Sequence, residues 1–313
     1  MIQDTYSNIL NFVQTYVRKM SPKSIRISWF GGEPLLEYKS ICDFMDKLIA
    51  LVGDNCEIYG SITTNAYLLT EKVFSKLINS KVTSYQITVD GPKEYHNKTR
   101  FLPGGFGTWD RIIKNLIFAA NSDYSFNISI RTNFTENLMN IYIEWLDFLN
   151  STFSNDKRFQ FHWETVKDLG GRDTSLAYNL EKEDPIKNVL SYAKVLKMNS
   201  PNDESSLRNL GFTCYAGRLN SLVIDWDGTI KKCTVALEEE KNHIGCLTDK
   251  GMELDYHKLA WWTNYSHKEE CKKCFIYPTC YAKKCPVSYY SESSCKMFKD
   301  YQLGLITSIL QDL

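Results

Sequence analysis

Eight of the ten cysteines of this 313-residue chain lie between residues 214 and 295. They are Cys214, Cys233, Cys246, Cys271, Cys274, Cys280, Cys285 and Cys295. Two cysteines separated by two residues, such as Cys271 and Cys274, can direct both sulfur atoms at one point from a tight turn, as thiolate-bound zinc and iron–sulfur clusters require. One such pair also fits a structural zinc site. Five cysteines between residues 271 and 295 exceed the four ligands of one tetrahedral ion, so the spacing favours more than a single zinc knuckle.

A disulfide framework is the other common reason for many cysteines, but it is typical of short secreted chains. A chain of 313 residues buries roughly three quarters of its unfolded surface without covalent links. The first residues, Met1 to Ser7, lack the basic start and the apolar run of a secretory signal. We therefore expect a cytoplasmic protein with reduced thiols.

The charge balance excludes some classes of partner. The 37 basic and 37 acidic residues give a formal net charge of zero, and the chain has no long charge run. Neither nucleic acid nor an anionic membrane is indicated as the main partner. No apolar run approaches the roughly 20 residues that span a bilayer, so the composition predicts a soluble globular protein.

The period of the apolar residues predicts strands that alternate with helices as far as residue 164. The predicted strands cover 25–30, 56–63, 85–89, 126–131 and 159–164, and the predicted helices cover 2–20, 38–52, 70–77, 109–120 and 136–149. Further on, we predict a helix over 185–198, a β-hairpin over 221–233 with Asp227-Gly228 at its turn, and a last helix over 298–311. The alternation is typical of an α/β fold with a mainly parallel sheet, whose ligands bind at the C-terminal ends of the strands.

Polar residues follow four of the predicted strands at the point where each strand ends. The four groups are Gly31-Gly32-Glu33-Pro34, then Ser61 to Asn65, then Asp90-Gly91-Pro92 with His96 and Arg100, and finally Arg131-Thr132-Asn133. Each group taken alone also fits an ordinary turn. His96 fits a core position, and Arg100 fits a surface charge. Together the four groups indicate a site for a polar, zwitterionic ligand, because an acid pairs with an ammonium and a guanidinium pairs with a carboxylate.

These phrases resemble the core of radical S-adenosylmethionine enzymes. The similar segments are Trp-Phe-Gly-Gly-Glu-Pro-Leu-Leu, Thr-Asn-Ala-Tyr-Leu-Leu, Ile-Thr-Val-Asp-Gly-Pro and Arg-Thr-Asn-Phe. The resemblance implies a partial (β/α)6 TIM-like barrel that binds S-adenosylmethionine. It implies that the methionine ammonium lies at Gly31, Gly32 and Glu33, the ribose at Ser61 and Thr63, the carboxylate at Arg100 and the adenine at Asn133, with Asn65 also in the site.

The cysteine pattern resembles the SPASM extension of the same enzymes, which holds auxiliary four-iron four-sulfur clusters. The resemblance implies two clusters, an outer one on Cys271, Cys274, Cys280 and Cys295 and an inner one on Cys214, Cys233 and Cys285. One departure is that Cys280 and Cys285 are separated by four residues where the family usually has three. For the fourth position of the inner cluster, either one iron is open to substrate or Cys246 is the ligand. The alternative for Cys246 is an ordinary buried thiol.

The sequence contains no Cys-x3-Cys-x2-Cys loop, which in this family binds the cluster that cleaves S-adenosylmethionine. Cys42 and Cys56 are too far apart to replace it, and we expect them in the core. The expectation is a barrel without its first strand, on a chain that cannot by itself generate the 5′-deoxyadenosyl radical. We favour a truncated enzyme over a natural remnant, because the residues for S-adenosylmethionine persist.

The predicted organisation is a truncated barrel over 1–170, a bridging helical segment over 171–210, the SPASM domain over 211–296 and a last helix over 297–313. The resemblance implies a peptide- or protein-modifying maturase that forms thioether or carbon–carbon links, with flavodoxin or ferredoxin as the reductant of the intact enzyme. Relatives that oxidise sulfatases carry an aspartate where this chain has Thr234. This difference makes sulfatase oxidation less favoured than peptide maturation. The alternatives are a catalytically dead scaffold that binds S-adenosylmethionine or peptide, and a protein with structural zinc.

Overall fold

The computed structural model describes residues 3–166, 186–199, 214–263 and 269–275, together with Leu303. The chain divides into two compact units. Ser21–Asn202 is called the sheet unit below, and Met1–Met20 with Asp203–Leu313 is called the cysteine unit.

The helices and strands follow in chain order. The helices are α1 Gln3–Met20, α2 Tyr38–Val52, α3 Glu71–Asn79, α4 Lys93–Thr99, α5 Trp109–Ala120, α6 Glu136–Met139, α7 Tyr142–Phe153, α8 Ile186–Val195, α9 Tyr256–Thr263 and α10 Glu269–Lys272. The strands are β1 Ser24–Trp29, β2 Glu57–Thr64, β3 Val82–Thr88, β4 Asn127–Phe134, β5 Phe159–Thr165, β6 Val223–Ile224, β7 Thr229–Lys231, β8 His243–Thr248 and β9 Gly251–Leu254.

The sheet unit is built on one parallel sheet in which the strands lie in the order of the sequence, β1-β2-β3-β4-β5. Every pair of neighbouring strands is parallel. The helices between the strands supply the crossover connections that parallel strands require. The predicted α/β fold with a mainly parallel sheet is therefore confirmed, while the closure of this sheet into a partial barrel stays a prediction.

The two faces of the sheet differ in polarity. One face carries apolar side chains such as Ile62, Ile87, Ile130 and Phe161, which are almost wholly buried. Helices α2, α3, α5 and α7 bury Leu48, Leu77, Leu116 and Leu149 as part of the same core. Each such side chain stabilises the fold by about 1.5–3 kcal/mol relative to exposure. Successive residues of a strand point to opposite faces, so the residues between these apolar ones form the other face, which is described with the site below.

The sequence prediction of one helix over 136–149 is wrong. The structure has α6 and α7 instead, separated at Ile141, whose φ of −130° and ψ of 16° lie outside the helical region. The hydroxyl of Thr135 accepts a hydrogen bond from the N–H of Leu138 and so caps α6 as a separate short helix. At α3, Thr70 occupies the predicted cap position, but its side chain makes no capping hydrogen bond.

The cysteine unit contains a four-stranded antiparallel sheet in the order β6-β7-β8-β9. The predicted hairpin is present as β6 and β7. Its turn is closed by the hydrogen bond from the Gly228 N–H to the Asp225 carbonyl, at 3.1 Å. Gly228 has a φ of +91°, which a residue with a side chain rarely adopts. Helix α1 packs on β8 and β9 of this unit, and its Thr5 hydroxyl donates to the Trp226 carbonyl at 3.1 Å.

The predicted domain boundaries at residues 170, 210 and 296 fall outside the described ranges and stay predictions. The predicted last helix lies outside those ranges too, apart from Leu303, which is helical. In the part of the chain that the structure describes, no helix combines the length and the apolar content needed to cross a membrane.

Candidate functional site

The strand ends that the sequence singled out lie along one edge of the sheet unit. The strands are parallel and adjacent, so their C-terminal ends share that edge. Gly31 to Glu33 follow β1, Asn65 follows β2 and Asp90 follows β3. Asn133 is the second-to-last residue of β4. The structure thus brings all four predicted groups to the same edge.

Glu33 connects the ends of β1 and β2. Its Oε1 accepts hydrogen bonds from the Leu35 N–H at 3.0 Å and from the Thr64 hydroxyl at 2.6 Å. Its Oε2 accepts the Asn65 N–H at 2.9 Å. A carboxylate has about four acceptor positions, so three bonds leave about one for a ligand. Glu33 is therefore both a structural brace and a group with remaining capacity to bind a cation.

Gly31 and Gly32 leave the backbone of this edge open. Their φ angles are +97° and +49°, and both residues are exposed. A Cβ atom built on either glycine would meet no atom within 4 Å. The glycines are therefore required by backbone conformation rather than by crowding, and a ligand has free access to their N–H and C=O groups.

Asp90 is the centre of a polar network at the ends of β3 and β4. Its Oδ2 accepts from the Nε of Arg100 at 2.6 Å. Its Oδ1 accepts from both the backbone N–H and the side-chain amide of Asn133, at 3.0 and 3.1 Å. The Nε of Arg131 donates to the Oδ1 of Asn133 at 3.0 Å. Arg100 and Asn133, both predicted ligand residues, are thus held by one carboxylate, and the Arg100 side chain stays 35% exposed.

His96 is a core residue, which is one of the interpretations that the sequence left open for it. It is fully buried, its Nδ1 accepts the Asp90 N–H at 3.2 Å, and its Nε2 lies 3.0 Å from the Thr108 hydroxyl. That hydroxyl donates to the Arg100 carbonyl at 2.8 Å, so it accepts the proton of Nε2 and the imidazole is neutral. Burial lowers the pKa of His96 to about 4. His96 therefore fixes the loop that carries Arg100.

Ser61 and Thr63 lie on the second face of the sheet, which is polar. The Ser61 hydroxyl is 2.6 Å from that of Ser28 on the neighbouring strand, and Thr63 is exposed. Further residues of this face are Gln86, Thr88, Ser129, Arg131, Gln160, His162 and Glu164. Purely parallel sheets are usually apolar on both faces, so a polar face indicates a surface for a polar ligand.

The sequence reasoning missed His162 and Glu164 on this face. The His162 Nε2 lies 3.2 Å from the Glu164 Oε1. Arg131 is the Cα partner of His162 in the ladder, and Asn133 is that of Glu164. The pair thus lies beside the network of Asp90. Gln160, His162 and Glu164 alternate with apolar residues along β5, and this pattern could have identified the pair from the sequence.

In the cysteine unit, two backbone N–H groups are directed at the sulfur of Cys233. The sulfur of this buried residue accepts the N–H groups of Val235 and Ala236, at 3.3 and 3.4 Å. Backbone N–H groups that donate to sulfur are also part of the surroundings of cluster-bound cysteines. The Cys233 N–H and C=O are both bonded to the side chain of Asn242, at 2.8 Å each. Cys233 is therefore held as a metal-bound thiolate would be.

Tyr215, which follows Cys214 in the chain, lies close to Cys233. Cys214 precedes a short 3-10 helix, Tyr215–Gly217, and its carbonyl accepts the Gly217 N–H at 2.9 Å. The Tyr215 hydroxyl is 2.6 Å from that of Thr234 and accepts the Thr234 N–H at 2.9 Å. Partial burial raises the pKa of Tyr215, and the neighbouring Cys233 raises it further.

Cys271 and Cys274 occupy one tight turn, closed by the hydrogen bond from the Cys274 N–H to the Cys271 carbonyl at 3.1 Å. Cys280, Cys285 and Cys295 lie outside the described residues. Within residues 3–166, 186–199, 214–263 and 269–275, no three His, Cys, Asp or Glu side chains converge as metal ligands. The predicted ligand sets therefore stay predictions.

Cys246 is exposed, so its interpretation as a buried thiol is wrong. It lies on β8 opposite Glu253, and its sulfur is 3.9 Å from the carboxylate of that residue. Cys246 is the fourth residue after Asn242, at a distance of about 13 Å along an extended chain. Asn242 is the residue that is hydrogen-bonded to Cys233. This position argues against Cys246 as the fourth ligand beside Cys233.

Cys42 and Cys56 were predicted in the core of the sheet unit. Cys56 is buried, as predicted, whereas Cys42 is half-buried. Burial raises the pKa of both thiols, which keeps them protonated and suits packing rather than metal binding.

Relatives are found among curated proteins, although no protein-family profile matches the sequence. The cysteine-type anaerobic sulfatase-maturating enzyme of Clostridium perfringens (strain 13 / Type A) is 24% identical over 285 residues, which cover 80% of this chain and 71% of that protein. The enzyme of the same name from Clostridium novyi (strain NT) is 23% identical over 309 residues, which cover 87% and 76%.

Solved structures share the fold. Native anSMEcpe with bound AdoMet and Kp18Cys peptide matches with a TM-score of 0.78 at 18% identity, over 99% of this chain and 90% of that chain. Streptococcus suis SuiB bound to S-adenosylmethionine matches with a TM-score of 0.55 at 17% identity, over 92% and 67%. The chain is thus similar in sequence to anaerobic sulfatase-maturating enzymes, and it has the α/β fold of these S-adenosylmethionine-bound proteins.

Proposed function

We propose that this chain is the ligand-binding and cluster-binding part of a radical S-adenosylmethionine enzyme that modifies a peptide or protein. The observation that carries the proposal is the edge of the sheet unit, where the open backbone of Gly31 and Gly32 and the carboxylate of Glu33 follow β1, and where Asp90, after β3, holds the guanidinium of Arg100. S-adenosylmethionine presents an ammonium, a carboxylate and a nucleoside, and charge-assisted hydrogen bonds to such residues recognise these groups.

Each predicted residue has a role in this proposal. The ammonium binds the remaining acceptor position of Glu33 and the backbone of Gly31 and Gly32. The carboxylate binds the exposed part of Arg100, whose Nε already pairs with Asp90. The nucleoside takes the polar groups of the edge, namely Ser61, Thr63, Asn65 and Asn133.

We assign two four-iron four-sulfur clusters to the cysteine unit. The inner cluster takes Cys214, Cys233 and Cys285, and the outer one takes Cys271, Cys274, Cys280 and Cys295. The N–H groups that point at the Cys233 sulfur and the tight turn of Cys271 and Cys274 support this assignment. When bound, these auxiliary clusters would accept an electron from the substrate, whereas reductive cleavage of S-adenosylmethionine would need the cluster of a Cys-x3-Cys-x2-Cys loop, which is not in this sequence. We place the protein in the reducing cytoplasm, where thiolates stay unpaired, with flavodoxin or ferredoxin as the reductant.

Two substrate classes are candidates. The curated relatives favour oxidation of a cysteine or serine in a sulfatase. Thr234 favours a thioether or carbon–carbon cross-link in a peptide, because sulfatase-oxidising relatives carry an aspartate there, and the Thr234 hydroxyl is engaged by Tyr215. Among the neighbours in fold, SuiB has been solved bound to the precursor peptide SuiA.

Anaerobic purification with metal and sulfide analysis tests the cluster assignment. Two clusters give about eight irons per chain with matching sulfide, whereas about one or two zinc ions without sulfide support the structural-zinc alternative. Calorimetric titration with S-adenosylmethionine tests the other site. S-adenosylhomocysteine, which keeps the amino-acid and nucleoside groups, serves as the control ligand. No heat with either ligand contradicts the assignment of the edge.

Activity is tested on protein that also carries a Cys-x3-Cys-x2-Cys segment ahead of residue 1. With a reductant, this protein is expected to yield 5′-deoxyadenosine. If it binds three clusters and never yields that product, the catalytically dead scaffold is the better interpretation. Mass spectrometry of cysteine-containing peptides then separates the substrate classes. Oxidation of a cysteine or serine gives an aldehyde, which reacts with hydrazine reagents. Formation of a cross-link removes hydrogen, and its product does not react with these reagents.

A further inference from the structure

Lys232 is a lysine with no exposed surface, directly before Cys233 in the cysteine unit. A buried ammonium without an anion costs several kcal/mol, so lysines are almost never buried unless they are paired. Among the described residues, no carboxylate forms an ion pair with Lys232. Its neighbour Lys231, in contrast, pairs with Asp225 at 2.7 Å. The charge of Lys232 therefore requires another anionic partner.

The hydrogen bonds of the ammonium point to where that partner lies. The Nζ of Lys232 donates to the carbonyls of Arg218, at 2.5 Å, and Ser221. Both carbonyls belong to the loop that begins at Cys214, so the side chain ties this loop to the end of β7. Two bonds leave one of the three donors of the ammonium for another acceptor.

The loop that this ammonium binds also carries Cys214, four residues before Arg218. On the other side, the backbone N–H groups of Lys232 and Cys233 both donate to the Oδ1 of Asn242, at 2.9 and 2.8 Å. Lys232 thus directly precedes one predicted cluster ligand, Cys233, and is hydrogen-bonded to the loop that carries another, Cys214.

We propose that Lys232 is the buried counter-ion of the metal centre that includes Cys214 and Cys233, and that it positions the 214–221 loop at that centre. The inference rests on the proposed iron–sulfur function. Thiolates around iron carry negative charge, and a positive charge held in a low-dielectric interior stabilises that charge, more so after an electron is added. Lys232 therefore slows the loss of iron and raises the reduction potential of this centre.

The test compares Lys232→Met, which keeps the length and removes the charge, with the matched control Lys231→Met at the preceding residue, the last of β7. After anaerobic reconstitution, Lys232→Met is expected to lose iron to a chelator about tenfold faster than wild type, as second-shell changes at metal sites do. A redox titration followed by electron paramagnetic resonance is expected to show one cluster with a more negative midpoint. Lys231→Met is expected to match wild type in both measurements.

Thermal unfolding separates a counter-ion from an ordinary structural contact. Without metal, Lys232→Met is expected to lower the unfolding temperature only slightly, because the loss of two hydrogen bonds to the loop is offset by the removal of a buried charge. With metal, the loss is expected to be clearly larger. An equal loss in both forms overturns the proposal. If Lys232→Met does not fold, Lys232→Gln gives the same comparison, since it keeps a donor for the loop and lacks the charge.

The outcomes distinguish this inference from the proposed function. Wild-type protein that binds no iron overturns both. If the wild type binds iron but Lys232→Met has the same midpoint and the same rate of iron loss, the counter-ion role of Lys232 is overturned and the proposed function is not. Lys232→Arg, which keeps the charge, is expected to retain a midpoint closer to that of wild type, and a midpoint equal to that of Lys232→Met also overturns it.

Discussion

Glu33→Gln is expected to loosen the edge of the sheet unit, although it changes only one atom of the side chain. The carboxylate accepts three hydrogen bonds, two of them from the backbone N–H groups of Leu35 and Asn65 and one from Thr64. The amide of glutamine keeps one oxygen and turns an NH2 group toward at least one of these donors. A hydrogen bond to a charged group contributes about 1.5–3 kcal/mol, so we expect a loss of about 2 kcal/mol in the free energy of unfolding.

Urea denaturation measures this loss, and hydrogen exchange locates it. The amides of Leu35 and Asn65 are expected to exchange faster in Glu33→Gln. The matched control is Glu37→Gln in the same segment, where the exposed carboxylate accepts a side-chain hydrogen bond from Ser40 at 3.0 Å and no other from the residues that the structure describes. An unfolding free energy equal to that of the control, with unchanged exchange at both amides, would refute the role of Glu33 as a brace. Calorimetry on the same variant then measures its role toward the ammonium of S-adenosylmethionine.

Three further predictions follow from polar groups that are buried or half-buried. Asn242→Asp places a carboxylate against two backbone carbonyls that the amide now binds, so we expect a loss of about 3 kcal/mol in denaturant titrations and less iron at Cys233. His96 has a pKa of about 4 in the fold, below its unfolded value of about 6.5, so its contribution is complete above pH 6.5 and is lost as pH falls toward 4. His96→Gln is expected to flatten that part of the stability–pH curve, and an unchanged slope contradicts the assignment. Arg158→Lys is expected to lower the unfolding free energy by about 2 kcal/mol, because the guanidinium binds Asp156 and three backbone carbonyls that an ammonium cannot reach together.

The parallel sheet could be predicted from the sequence because its strands carry strong local patterns. Helices α2 and α5 begin and end at the predicted residues, since their apolar period and their ends agree. The break at Ile141 could not be predicted, because it depends on a cap by Thr135 within an otherwise continuous apolar pattern. Strands β8 and β9 were also missed, because short antiparallel strands around a glycine give little periodicity.

The sequence predicted which residues form the candidate site, but not the hydrogen bonds and ion pairs that they make. Sequence reasoning could select Glu33 and Arg100 as charged groups after strands, but it could not reveal that Thr64 and Asp90 already bind them. Those contacts join residues that are distant in the chain, and only the sheet register brings them together. The burial of Lys232 was equally out of reach, since a lysine beside another lysine is usually a solvated pair.

The division of the parallel sheet into an apolar and a polar face separates two tasks that most protein cores combine. Residues such as Ile87 and Ile130 hold the fold together, while Gln86, Ser129 and Gln160 point the other way and contribute little to its stability. Exchanges among the second set can therefore accumulate without unfolding the protein. The chemistry that the sheet accommodates can change during evolution while the scaffold does not.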